Sequence, residues 1–264
     1  MADELKEAGG KVRLYVTAGL GAEVPLTDSQ AHYLIHVMRA KAGDRVSLFN
    51  GRDGEWLAQI ASVAKRGVVL SCLMQTEPQA GTPDVWLVFA PVKKTPSDYL
   101  VQKATELGAS RLQPVFTRRT IVTRVNAERL AANAIEAAKQ SGRLSVPEIG
   151  APLALEKLLA SWPKERWIFF CDEGGDAKPL AQALSIPPPL AGGGKRGERS
   201  ETRLGEGAAA ILTGPEGGFD PAERLLLRAL PFVIPVTLGP RILRADTAAL
   251  AALAIWQSVA GDWR

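Results

Sequence analysis

The chain has only two cysteines in 264 residues, Cys72 and Cys171. They are far apart, form no Cys-x-x-Cys spacing and each lies in a strand-like apolar run. Buried, reduced thiols are therefore expected, and a disulfide framework or a zinc site is not. Histidine is equally scarce, with His32 and His36 the two present. Four apart on a helix they could face a metal together, but no His-Glu-x-x-His glutamate or third ligand accompanies them. No metal is expected, and packed or RNA-facing imidazoles are the better reading. Long apolar runs are missing too: the longest near the end, Ala248 to Trp256, is too short to cross a bilayer. The stretch from Met1 to Gly10 is polar and unlike a signal peptide. A cytoplasmic protein without a membrane partner is the expectation. The common nucleotide signatures are also absent: no Gly-x-Gly-x-x-Gly follows a strand, and Gly192-Gly-Gly-Lys195 runs into Arg196 rather than Ser or Thr. No internal repeat is visible.

What is present is an ordinary globular composition, 46% hydrophobic and 23% charged, which supports a substantial core in one large domain or two. Net charge is +4, and its distribution is uneven. Between Pro91 and Ser145 stand Lys93, Lys94, Lys103, Arg111, Arg118, Arg119, Arg124, Arg129, Lys139 and Arg143, against Asp98, Glu106, Glu128 and Glu136. A solvated helical surface and an anionic partner explain this equally well.

Residues 1–76 read as a small β-rich unit. Val12 to Val16 alternates like a strand, and Thr27-Asp-Ser-Gln30 resembles a capping box opening a helix to about Arg39. Three short strands follow at Arg45 to Phe49, Glu55 to Val63 and Val68 to Met74, with turns at Asn50-Gly51 and Lys65-Arg-Gly67. Residues 77–83 suit a linker. From residue 84 onward strands alternate with helices: strands at Val85 to Ala90, Leu112 to Phe116, Trp167 to Cys171, Ala208 to Leu212 and Val233 to Thr237. The helices open at Thr95-Pro-Ser-Asp98, at Asn126, at the second capping box Asp220-Pro-Ala-Glu223, and at Thr247. This pattern predicts an α/β domain with a mainly parallel sheet. Residues 186–207 hold Pro-Pro-Pro, Gly-Gly-Gly and seven charges, and are expected to form a flexible insertion.

Two segments carry possible chemistry. Thr213-Gly-Pro-Glu-Gly-Gly218 follows a strand directly, and its glycines let a ligand approach main-chain groups; a tight strand-to-helix turn is the plainer reading. Leu238-Gly-Pro-Arg-Ile-Leu-Arg-Ala-Asp-Thr247 likewise lies between a strand and a helix. Ligands of open α/β sheets bind outside the carboxyl ends of the strands, where both segments fall.

Together these two segments resemble the signature of the SPOUT methyltransferases, specifically of the RsmE family. The resemblance covers nearly the whole chain. His32-Tyr-Leu-Ile-His-Val-Met-Arg39 with Gly43-Asp44 resembles that family's PUA-like RNA-binding β-barrel domain. Lys93-Lys94, Lys103-Ala-Thr-Glu-Leu-Gly108 and Gln140-Ser-Gly-Arg143 with Pro147 resemble the first half of its catalytic domain. Ala245-Asp246-Thr247 departs from the family's Thr-Glu-Thr, keeping a carboxylate on a shorter stem, and Lys139 stands where a glutamate is common.

The resemblance implies methylation of N3 of a uridine in 16S ribosomal RNA of the small subunit, with S-adenosylmethionine as cofactor. It further implies a SPOUT-type trefoil knot and a homodimer. Carried over, the cofactor contacts fall on Leu212, Thr213, Gly214, Pro215, Glu216, Gly217 and Gly218, on Leu238, Gly239, Ile242 and Leu243, and on Thr247 and Ala248. Uridine N3 must lose a proton before it can attack a sulfonium methyl, and the developing charge needs stabilisation. Arg244 is a candidate for that charge, and Asp246 or Glu216 for the base; a salt bridge or helix-end charge is an equally good reading of either carboxylate. RNA contacts are expected at Arg13, Arg39, Lys93, Lys94, Arg118, Arg119 and Arg143. The rival readings are a SPOUT enzyme for another RNA atom and a non-catalytic RNA-binding ribosome-assembly factor.

Overall fold

The computed structural model describes residues 12–64, 67–92, 94–172, 176–186 and 207–264. They divide into two units, Met1–Gly81 with Ile135–Val146, and Thr82–Ala134 with Pro147–Arg264. Most of the insertion expected over 186–207, and Lys93, lie outside the described residues.

In the first unit, β1 (Arg13–Tyr15), β2 (Glu23–Pro25), β3 (Arg45–Phe49), β4 (Glu55–Ala64) and β5 (Gly67–Glu77) form one sheet in the order β1-β3-β4-β5-β2. Its pairs are antiparallel except for β1 with β3. Leu14, Val24, Val46, Leu48, Ile60 and Leu70 bury against one another and against Leu34. Register shifts along β4 and β5 mark bulges, which bend and twist a long hairpin. The short strand β2 was not foreseen: three residues carry too little alternation to register.

The capping box at Thr27 is present. Its hydroxyl accepts from the Gln30 N–H at 3.3 Å, while Gln30 Oε1 accepts from the Thr27 N–H at 3.0 Å. The helix it opens, α1 (Asp28–His32), does not continue regularly to Arg39. It widens into a π turn at Tyr33–Val37, and Arg39 takes the left-handed conformation, φ 56°. Leu34 enters the core there, whereas His36, Val37, Met38 and Arg39 remain exposed.

In the second unit, β6 (Val85–Phe89), β7 (Arg111–Phe116), β8 (Glu148–Ile149), β9 (Leu153–Ala154), β10 (Trp167–Cys171), β11 (Lys178–Pro179), β12 (Ala209–Thr213) and β13 (Val233–Thr237) form a parallel sheet. Its order is β11-β13-β10-β12-β6-β7-β8, with β9 also on β7. The helices are α2 (Lys94–Glu106), α3 (Ala127–Gln140, which from Ile135 on belongs to the first unit), α4 (Leu155–Ala160), α5 (Leu180–Leu184), α6 (Pro221–Ala229) and α7 (Ala245–Val259). Central strands are apolar on both faces because helices cover both. Val88, Ile168, Phe170, Ala210 and Leu212 pack with Leu155, Leu158 and Leu227. The alternate residues Leu87, Phe169 and Ile211 are equally buried, and α7, which touches β6 and β12, buries Ala249, Ala252, Leu253 and Trp256.

Two helix starts in this unit differ from expectation. Helix α2 starts at Lys94, ahead of the expected cap at Thr95, whose side chain lies outside the described residues, and the Ser97 hydroxyl bonds the Val92 carbonyl at 2.8 Å. Helix α7 starts at Ala245 rather than Thr247, so Asp246 and Thr247 form its first turn. Helices α4 and α5 were missed, being too short to show a helical period.

Candidate functional site

All the central strands are parallel, so their carboxyl ends share one sheet edge: Thr237, Cys171, Thr213 and Phe89 close β13, β10, β12 and β6 there. β10 lies between β12 and β13, so the two glycine-bearing loops leave the sheet about 10 Å apart, two strand spacings.

The loop after β12 is held from several sides. Leu212 and Thr213 are buried, and the Thr213 carbonyl accepts from the Ala90 N–H at 3.2 Å. Gly218, with φ +67°, closes a tight turn by donating to the Pro215 carbonyl at 2.9 Å. Gly214 has a different reason to be glycine: a Cβ there would sit 2.6 Å from the Phe219 ring. That ring is buried and packs edge-on against Phe170, centroids 4.9 Å apart. Gly217 is open, for its nearest neighbour would be the Arg119 side chain at 3.8 Å. Glu216 is exposed and makes no side-chain hydrogen bond among the described residues.

The second capping box is also present. Asp220 Oδ1 accepts from the Ala222 N–H at 3.0 Å, and Glu223 Oε2 accepts from the Asp220 N–H at 3.1 Å. Glu223 is buried, 1% exposed, and its other oxygen accepts from the Arg118 N–H at 2.8 Å. One carboxylate thus joins the segment after β7 to the start of α6.

In the loop after β13, Leu238 and Leu243 are half-buried, Gly239 has no heavy atom within 4 Å of a would-be Cβ, and Ile242 is 83% exposed. Arg244 caps α7 through its backbone, the Ala248 N–H donating to its carbonyl at 2.8 Å; among the described residues its exposed guanidinium makes no bond. Asp246 Oδ1 accepts from the Thr247 N–H at 2.8 Å, which anchors the carboxylate in the first helical turn. Ala248 is half-buried one residue further on.

Cys171, between the two loops, is no nucleophile: burial pushes its thiol up to about 12, so it stays protonated at neutral pH. Next to it Asp172 is buried and gripped by two guanidiniums of α6, Arg224 at 2.8 Å and Arg228 at 2.7 Å. Arg228 also bonds Asp176, holding that carboxyl below the usual aspartate range. This network, which fixes α6 against the end of β10, had no signal in the sequence, because its partners lie some fifty residues apart.

The expected RNA-binding residues separate. Arg13 is a strut of the first unit: it pairs with Glu55, donates to the carbonyls of Ala138 and Arg143 at 2.7 and 2.8 Å, and stacks on Phe49 at 3.9 Å. These bonds, with the Lys139 ammonium 5.0 Å from the Tyr33 ring, account for Ile135–Val146 belonging to that unit. Arg143 bonds Ser145 at 3.1 Å. Arg39 is exposed. Arg118 is exposed but leans on Asp220 at 3.2 Å, and Arg119 donates to the Gly217 carbonyl at 3.0 Å.

Comparison with known proteins decides the family. A model of an RNA methyltransferase domain matches residues 80–257, and one of an RNA methyltransferase PUA domain matches residues 26–71. The ribosomal RNA small subunit methyltransferase E of Synechocystis is 32% identical over 88% of this chain and 72% of its own length. The chain belongs to that family. Its member from Rickettsia conorii is 29% identical over 92% of this chain and 93% of its own length. Among solved structures, the family member from Neisseria gonorrhoeae bound to S-adenosylmethionine matches with a TM-score of 0.78. It is 26% identical and covers 96% of this chain and 99% of its own. A Legionella pneumophila methyltransferase in complex with the same cofactor matches equally, at 0.78 and 26% identity over 95% and 98%. The mainly parallel α/β domain and the preceding PUA-like domain are those of the methyltransferase E family, as the motifs implied.

Proposed function

We propose that this chain transfers a methyl group from S-adenosylmethionine to N3 of a uridine in 16S ribosomal RNA. What carries the reading is the pair of loops at the carboxyl ends of β12 and β13, in a chain that follows a cofactor-bound family member almost end to end. The residues fit such a cofactor. Gly217 and Gly239 leave bare main chain with room where a side chain would stand, on either side of β10. The proposed contacts are Leu212 to Gly218, then Leu238, Gly239, Ile242 and Leu243, with Thr247 and Ala248.

When bound, the cofactor supplies a sulfonium methyl and its own leaving group. The loops supply position, presenting main-chain N–H and C=O groups of fixed direction. Arg244, exposed and without a partner among the described residues, is the cation proposed to offset negative charge developing on the uracil oxygens. The proton on N3 goes to a carboxylate, Asp246 or Glu216. Asp246 is anchored by Thr247 and Glu216 is free to turn, so Asp246 is the better oriented of the two. In the first unit, Arg39 offers an exposed cation to RNA, while Arg13 is committed elsewhere. A knotted second unit, a homodimer and a cytoplasmic location belong to the same proposal; no helix among the described residues is long and apolar enough to cross a membrane.

The test is transfer of labelled methyl to 16S RNA, free and within small subunits, followed by nucleoside analysis. Labelled 3-methyluridine is expected with at least one substrate. Label on another atom favours a different SPOUT chemistry, and none on either substrate contradicts the proposal.

A further inference from the structure

The segment Thr117–Thr120 follows β7, two strands from β12, and lies outside both glycine loops. It is nonetheless tied to the first of them. The Arg119 guanidinium donates to the Gly217 carbonyl at 3.0 Å, and its stem lies 3.8 to 3.9 Å from the position a Gly217 Cβ would take. The neighbouring Arg118 N–H is held by the buried Glu223, which also caps α6 at the end of the glycine loop. Thr117 completes the anchorage: its N–H donates to the Thr120 hydroxyl at 2.9 Å, and the two hydroxyls stand 2.8 Å apart. A short, self-bonded hook thus holds one end of its cation against the most open residue of the loop.

The peptide between Gly217 and Gly218 is held at its N–H end by the turn, where Gly218 donates to the Pro215 carbonyl at 2.9 Å. The charged donor of Arg119 holds the carbonyl end at 3.0 Å, so the plane is pinned on both sides. We propose that Arg119 is a positioning residue for the cofactor loop: it completes the pinning of the peptide between Gly217 and Gly218 that the turn begins, and thereby raises the affinity for S-adenosylmethionine, without being required for the fold. The inference rests on the reading of this loop as the cofactor site.

Four variants test it by calorimetry with S-adenosylmethionine, each with a melting curve: Arg119→Ala, Arg119→Lys, Arg124→Ala and Gly217→Val. Arg119→Ala should weaken binding about tenfold, a moderate share of what a charge-assisted hydrogen bond contributes, with the melting temperature unchanged. Arg119→Lys, which keeps a donor on a long stem, should recover most of the loss. Arg124→Ala, exposed in the same connection, should bind like wild type. Gly217→Val should lose binding, because the added side chain projects into the site. If Gly217→Val loses binding while Arg119→Ala binds within twofold of wild type, the positioning role is wrong and the site stands. If Gly217→Val binds normally, the site reading fails and the inference falls with it. A loss in Arg119→Ala that comes with an equal loss of thermal stability also overturns the role, since the arginine is then structural.

Discussion

Gly214 and Gly217 look alike in the sequence, but the structure assigns them opposite tasks, and alanine at each should separate fold from binding. At Gly214 a methyl group would meet the Phe219 ring at 2.6 and 2.8 Å, well inside contact distance. The ring cannot swing away freely, because it is buried and packed against Phe170. Inserting one methyl into such a site costs about 1–3 kcal/mol. For a domain of this size each kcal/mol lowers Tm by roughly 2–4 °C. Gly214→Ala should therefore melt several degrees early, and Phe219→Leu in the same chain should recover part of the loss by making room. At Gly217 the nearest atom would be 3.8 Å away, so Gly217→Ala should change stability by less than about 0.5 kcal/mol. Differential scanning calorimetry in the absence of cofactor gives both numbers. Equal melting temperatures for wild type and Gly214→Ala would refute the packing argument, and an early melt of Gly217→Ala would refute the claim that this residue faces open space.

Replacing Arg118 and Arg119 by alanine should flatten the slope of log RNA affinity against log salt by roughly one to one and a half units if both touch phosphate. Cofactor affinity should fall in the same protein, because Arg119 bonds Gly217. Asp172→Ala leaves two guanidiniums without their buried partner and should cost about 2–4 kcal/mol in urea unfolding; a loss below 1 kcal/mol would show that Arg224 and Arg228 re-pair elsewhere. The Asp53 carboxyl is held below the usual aspartate range by the Leu20 N–H and then the Asn50 side chain. A depressed folded-state value means that this stabilisation is present above the unfolded pKa, about 3.9, and disappears as pH falls through the lower folded value. The acid limb of the stability profile below about pH 4 should therefore be shallower in Asp53→Asn than in wild type.

The parts of the molecule legible in the sequence are those determined locally. The continuous apolar run of β10 and the two capping boxes, Thr27 with Gln30 and Asp220 with Glu223, are short-range patterns, and all recur in the structure. The order of motifs from His32 to Arg244 led to the methyltransferase E family. What sequence could not show depends on distant partners. Glu223 could be read as a cap, but not as the acceptor for Arg118, 105 residues away. Arg13 could be read as a cation, but not as one already committed to carbonyls of Ala138 and Arg143. The same limit hid the clustering of Ile135–Val146 with the first unit, since half of α3 keeps the same helical period throughout. The early start of α7 is a subtler case: Arg244 lacks a capping side chain, so nothing local marks the boundary that places Asp246 inside the helix.

The claim that this chain methylates a uridine of small-subunit ribosomal RNA is tested most directly by mass mapping of that RNA from cells lacking the protein. One fragment should be lighter by a single methyl group on a uridine. A plasmid carrying wild type should restore the mass, and one carrying Gly217→Val should not. Identical fragment masses with and without the protein, from RNA that is otherwise fully mapped, would contradict the function proposed here.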